Sequence, residues 1–223
     1  FGRKLFNSFF ENQKENPIEP IIQDLEEWRT QHAFSLTKVP LEALRGWRIG
    51  TWTLWGENSS FQVGAFRINV RGREVPMWEQ PLLQATVHGH VILLCQMRWG
   101  ILHFLLRKKV EIGFAEYAQL GPSLQCDSHN EFMADNLDRY ILSLVSQQHA
   151  VHRPLTCLQS DEGGRFYKSV ARYSIVEVAQ EIAIPKDHSG CWVSLGQLYR
   201  ILKIEGMLTN EARSAVSLLL YYL

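Results

Sequence analysis

The chain has 223 residues, 46% of them apolar, which is enough to bury the core of one domain. Its 23 basic residues are matched by 23 acidic ones, so it lacks the basic excess of a nucleic-acid binder, and no apolar run is long enough to cross a membrane as a helix. The four cysteines, Cys95, Cys126, Cys157 and Cys191, form no close pair of the kind that holds zinc and read as the reduced thiols of a cytoplasmic protein.

Residues 1–16 read as a polar, irregular tail, followed by a single domain over 17–223. Pro20 opens a helix with Ile21, Ile22, Leu25 and Trp28 at helical spacing. "VPLEALRGW" is a turn or short helix. From residue 51 to about 128 the chain becomes β-rich: "TWTLW", "SFQVGAFRINV", "EVPMW", "QPLLQATV", "HVILLCQMRW" and "ILHFLLRKKV" are short runs, most of them separated by polar or glycine turns. These predict a curved, meandering antiparallel sheet. A helix follows over 131–147, with Met133, Leu137, Tyr140, Ile141, Leu144 and Val145 on its apolar face. "PLTCLQS" and "RFYKSVARYSIVEV" are strands. "SLGQLYRILKI" is a helix with a Ser194–Gln197 capping box, and a last helix starts near Asn210. Strands and helices in this order make an α+β domain.

Four patches carry candidate chemistry. "CLQSDEGGRFYKSVAR" sets Asp161 and Glu162 beside Gly163 and Gly164, whose lack of side chains lets a backbone approach a ligand. If 166–172 is extended, Lys168 and Arg172 share a face about 13 Å apart, at about 3.3 Å per residue. With Arg165 at the turn they suit phosphate oxygens; a hairpin turn with solvated charges would read the same way. In "EVPMWEQPLL", Trp78 can stack on a planar base and Gln80 can bond its edge, or Trp78 is a core residue. In "GILHFLLRKKVEIG", His103 and Glu111 can share acid and base work, or His103 is a hydrogen-bonded core group. In "GPSLQCDSHN", Gln125 and Asn130 can hold sugar hydroxyls, or Asp127 and Asn130 cap the helix that follows. No dinucleotide loop, Walker loop, HExxH or GxSxG motif is present.

Taken in order, "VPLEALRGW", "SFQVGAFRINVRGREVPMWEQPLL", "GILHFLLRKKVEIG", "GPSLQCDSHN", "LQSDEGGRFY", "CWVSLGQLYRIL" and "NEARS" resemble the NDP-hexose 2,3-dehydratases, from about Trp28 to Ser217. The resemblance implies a Nudix-like fold with a curved mixed or antiparallel sheet flanked by helices. It also implies action on dTDP-4-keto-6-deoxyglucose in deoxysugar biosynthesis, with loss of the C2 hydroxyl as water and no cofactor. The glutamate-rich Nudix box is missing, which argues against diphosphate hydrolysis and against a required metal. The chain departs from the family in carrying one copy of a unit usually found in tandem, in the reduced "SSF", and in Ser160-Asp161-Glu162-Gly163 where Ser-Glu-Gln-Gly is commoner. A single copy implies a homodimer.

For this chemistry the expected acid and base come from His103, Glu111, Asp161 and Glu162. Gln80, Gln125 and Gln159 would orient hydroxyls or the base, Trp78 would stack, and Gly163, Arg165, Lys168 and Arg172 would receive the diphosphate. A non-catalytic sugar-nucleotide-binding unit, or a dehydratase of another β-hydroxy ketone, are the competing readings. With no metal expected, water loss from the sugar nucleotide should survive dialysis against EDTA; an activity that disappears and returns with magnesium would contradict this.

Overall fold

Strand-forming residues from Trp47 onward build two sheets rather than one. The computed structural model describes residues 1–11, 16–57, 59–85, 88–114, 116–127, 135–146, 150–151 and 154–222. The first sheet is an antiparallel meander, β1 (Trp47–Ile49), β2 (Thr53–Gly56), β3 (Phe61–Asn69) and β4 (Met77–Ala85), paired in chain order. The runs "EVPMW" and "QPLL" fuse into β4; its Pro81, which cannot donate to a ladder, is accommodated because β4 lies at the edge of this sheet.

The second sheet holds the core. Its order is β11 (Gly190–Ser194), β6 (Ile101–Val110), β5 (Gly89–Arg98), β10 (Val170–Val178) and β9 (Leu155–Ser160). β7 (Ala118–Gly121) adds to β6 and β8 (Leu124–Asp127) adds to β5. β10 runs parallel to β5, and the other pairings are antiparallel, so the expected antiparallel meander is a mixed sheet at its centre. β5, β6 and β10 are covered on both faces, which is why they read as near-continuous apolar runs. On one face, Leu93, Cys95, Phe104, Leu106 and Ile175 pack against α1 (Gly2–Glu11), α2 (Glu19–Gln31), α4 (Leu195–Ile201) and α5 (Asn210–Ser217). On the other, Ile92, Leu94, Leu105 and Val176 pack against α3 (Asn136–Ser146) through Leu137, Ile141 and Leu144.

Two further expectations change. The tail is a helix: in α1, Leu5 is fully buried, the Ser8 hydroxyl accepts the Leu102 N–H at 2.8 Å, and Lys4 Nζ sits 2.6 Å from Glu177 Oε1. Its polar residues hide an apolar stripe too short to stand out in sequence. β10 begins at Val170, not at Arg165, because Lys168 takes a positive φ of 52° and turns the chain. α3 is described from Asn136; Met133 and Asn130 lie outside the described residues. The capping box of α4 forms as read, with Gln197 N–H donating to the Ser194 hydroxyl and Ser194 N–H to Gln197 Oε1.

β5 and β6 are paired only near their shared turn, from Cys95–Phe104 to Arg98–Ile101. Beyond Cys95 they part, and β8 and β7 take up the separated edges. At the fork lies Ser123, fully buried between β7 and β8. Its hydroxyl accepts the Leu94 N–H at 2.8 Å and donates to the Leu105 carbonyl at 2.5 Å, replacing the bonds the two strands would otherwise have made to each other. Ser123→Ala leaves both backbone groups without that partner. It should cost about 2 kcal/mol in urea-unfolding free energy, within the usual range for a buried group left unsatisfied; an unchanged unfolding midpoint would show that the fork holds without the hydroxyl.

Candidate active site

The fork opens a cleft of about 710 Å³, within the roughly 300–1,000 Å³ usual for small-molecule sites. Its walls come from the ends of β4, β5, β8, β9 and β10, from Glu111 just past β6, and from the first turn of α5. The "SDEGGR" turn forms one rim. This turn hangs on the outer edge of β4: Leu83 N–H donates to the Arg165 carbonyl at 2.8 Å, and Tyr167 N–H donates to the Leu83 carbonyl at 2.7 Å. From behind, Trp78 Nε1 donates to Gln80 Oε1 and Gln80 Nε2 donates to the Gly164 carbonyl, each at 2.6 Å. Gly164 has a φ of 98°, which side-chain-bearing residues rarely adopt. The turn closes on itself where Ser169 Oγ donates to Asp161 Oδ2 at 2.5 Å and Asp161 N–H donates to the Ser169 carbonyl at 3.1 Å.

Beside the cleft, polar and charged side chains from the end of β6, from β8 and from α5 meet. Lys109 Nζ donates to Gln125 Oε1 at 2.9 Å and stands 3.8 Å from Glu111 Oε1. Glu211 enters from the first turn of α5, whose N-cap Thr209 accepts the Ala212 N–H at 3.1 Å. Burial pushes the Glu111 carboxyl above the usual carboxylate range; Glu211 adds to that push, and Lys109 opposes it. Tyr173, on β10, turns a buried ring to the cleft. Its hydroxyl is pushed up to about 12, first by burial and then by the negative charges of Glu211 and Asp161, against a hydrogen bond from Ser214. It is therefore a neutral donor at any working pH. Arg165 and Arg213 are the cationic groups among the described lining residues, and Arg165 also lies 3.4 Å from Glu162.

Of the residues singled out in sequence, the cleft brings together Glu111, Gln125, Gln159, Asp161, Glu162 and Arg165. His103 is elsewhere: it sits near the tip of the β5–β6 hairpin, buried, its Nδ1 3.2 Å from the Ile101 carbonyl and its ring edge-on to Trp99. Trp78 and Gln80 support the turn instead of lining the cleft, and Gly163 is held in a backbone bridge to Phe166. The late start of β10 removes Lys168 from the strand and leaves its ammonium 5.4 Å from the Tyr167 ring. Arg172 follows Ala171 and precedes Tyr173, which both line the cleft, so strand alternation sends it to the opposite face, where it is exposed.

Sequence reasoning missed Tyr173, Lys109, Glu211, Arg213 and Ser214. Tyr173 had a signal: it alternates with Ala171 and Ile175 on an apolar face, and a buried phenol needs a polar neighbour. "NEARS" had another, because Glu211 and Ser214 are one helical turn apart on the side that also buries Ala212 and Ala215. Among the described residues, no group of three or more His, Cys, Asp or Glu side chains is placed to hold a metal ion, and no helix is long and apolar enough to cross a membrane.

Residues 19–219 match the family described as NDP-hexose 2,3-dehydratase. A dTDP-4-dehydro-6-deoxy-alpha-D-glucopyranose 2,3-dehydratase from Saccharopolyspora spinosa is 31% identical over 203 residues, which cover 90% of this chain and 42% of that protein. Its namesake from Amycolatopsis orientalis is 28% identical over 191 residues, 85% of this chain and 40% of that protein. The chain thus spans about two fifths of the length of the curated relatives it matches. Among solved structures, the Ap4A hydrolase of C. elegans aligns with a TM-score of 0.38 and 13% identity, over 61% of this chain and 94% of that one. That likeness is too slight to carry an argument.

The phenol of Tyr173 offers a direct check on the cleft's electrostatics. In an ultraviolet titration, the difference between wild type and Tyr173→Phe should show no tyrosinate through the ordinary range near 10, with ionisation only at about 12. A tyrosine signal lost at the ordinary value would mean that the ring is solvated.

Proposed function

The chain belongs to the NDP-hexose 2,3-dehydratase family, and from that premise we propose that its cleft removes water across C2 and C3 of dTDP-4-keto-6-deoxyglucose in deoxysugar biosynthesis. The observation that carries this reading is the meeting, in one cleft, of a carboxylate of raised proton affinity, a neutral phenol and two rim arginines. Base catalysis near neutral pH needs the first, an oxyanion needs the second, and a diphosphate needs the third.

The C4 ketone makes the C3 hydrogen acidic. Glu111 takes that proton, and the electron pair of the C3–H bond moves into a C3–C4 enolate. The Tyr173 hydroxyl donates a hydrogen bond to the C4 oxygen as its charge grows. The enolate collapses, the C2–O bond breaks, and the departing hydroxide leaves as water with the proton that Glu111 had taken. The product is an enol with a C2–C3 double bond; moving its O3 proton to C2 gives the 3,4-diketone. Gln125 and Gln159 hold sugar hydroxyls, while Arg165 and Arg213 hold the diphosphate in place of Lys168 and Arg172. Asp161 and Glu162 shape the rim; Asp161 is engaged by Ser169.

Cytoplasmic residence belongs to the same reading and is supported by the four free cysteines. So does pairing of two copies of the chain, supported by exposed apolar side chains such as Leu220 and Tyr221.

Mass spectrometry of the sugar nucleotide after incubation should show the loss of one water. Glu111→Gln should lower kcat by about 10²- to 10⁴-fold, the usual worth of a positioned base. Arg213→Ala should weaken thymidine diphosphate binding roughly tenfold, about 1.4 kcal/mol, with Arg172→Ala unchanged. Binding without water loss would favour a non-catalytic sugar-nucleotide-binding unit.

A further inference from the structure

The end of β6 carries a cation that the proposed chemistry leaves without a role. Lys109 lies two residues before Glu111, so both side chains leave the chain toward the same face. Lys109 pairs with Gln119 of β7, and Arg107 pairs with Gly121. At Gly121 a Cβ would stand 2.9 Å from Lys109 Cδ and 3.2 Å from its Cγ. The missing side chain is therefore the groove along which the lysine stem runs. At its end the ammonium meets an amide oxygen from β8 at 2.9 Å and a carboxylate oxygen from beyond β6 at 3.8 Å. Two strand segments that separate at the fork are thus joined again by one side chain.

We propose that Lys109, threaded over Gly121, is a positioning residue of this site: it holds the Glu111 carboxylate and the Gln125 amide in fixed relation so that each presents one defined group to the substrate. This rests on the reading of Glu111 as the base. With the Gln125 oxygen bonded to the ammonium, the amide offers its NH₂ as a donor to a sugar oxygen. With one Glu111 oxygen drawn toward Lys109, the other is the one available for the C3 proton. The charged and titratable groups that line the cleft with Glu111 include His90 from β5, Glu211 and Arg213 from α5, Tyr173 from β10, and Asp161, Glu162 and Arg165 from the turn. Glu211 disfavours the ionised carboxylate, and Lys109 is the cation standing nearest to favour it. Burial in turn weakens the lysine's own hold on its proton, and Glu111 and Glu211 offset this only in part.

The test is a carboxylate titration by NMR, with Glu111 identified from the signal lost in Glu111→Gln, together with the pH profile of kcat/KM. In Lys109→Met the Glu111 midpoint should move toward alkaline pH by about one pH unit, the lower end of the effect of removing an opposite charge at this range. The rising limb of the activity profile should move with it. Gly121→Ala keeps the charge but displaces the stem, and should shift both in the same direction by less. Lys109→Arg should return them toward wild type. A Glu111 midpoint that is the same in wild type, Lys109→Met and Gly121→Ala would overturn the proposal. If wild type releases no water, the dehydratase reading fails, while the titration still decides whether Lys109 governs Glu111.

Discussion

Everything that forms the cleft depends on β5 and β6 parting, and their parting depends on where their backbone bonds go. Two central strands cannot separate in a dry core unless each abandoned N–H and C=O finds another partner. Ser123 supplies one donor and one acceptor at the branch point, and β7 and β8 take over the edges further along. The "GPS" segment between β7 and β8 is therefore a wedge. It directs the end of β6, with Lys109 and Glu111, to one wall, and it directs Gln125 and Cys126 to the neighbouring wall.

The wedge also decides how charge is distributed. Glu111, Asp161, Glu162 and Glu211 line a cleft whose described cations are Arg165 and Arg213. A net negative interior is a poor home for a diphosphate but a good one for a base, because carboxylates raise one another's proton affinity. The two arginines stand on different segments, the turn after β9 and the first turn of α5. On the proposed reading, proton chemistry and phosphate recognition use different parts of one cleft.

Much of this was legible in the sequence. Element types were read correctly in β3, β5, β6, α4 and α5, and Glu111, Gln125, Gln159 and Asp161, chosen for chemical type and motif position, line one cleft. Four points needed more than the local sequence pattern. His103 lies near one end of β6 and Glu111 just past the other, but no pattern says which end of a strand faces a cavity, and the fork decided it. Arg172 was read on one face with Lys168, but Lys168 is left-handed and precedes β10, so the alternation begins only at Val170. Tyr173 and Glu211 were read only as part of a strand and of a helix start, which says nothing of the cleft they share. The N-terminal helix was missed because its fixing contacts are tertiary: one serine, one lysine and one leucine.

That helix has a consequence in time. The Ser8–Leu102 bond spans 94 positions and the Lys4–Glu177 pair spans 173. Closing loops of that length costs entropy that only a preformed surface can offset, and the surface in question is β6 joined to β10 through β5. α1 therefore settles onto a sheet that has already assembled, and the Leu102 N–H faces water until it does. During synthesis the order is inverted: the segment made earlier waits for strands made much later. For that interval its apolar stripe has no native partner within reach, which makes these few residues a natural binding point for a chaperone.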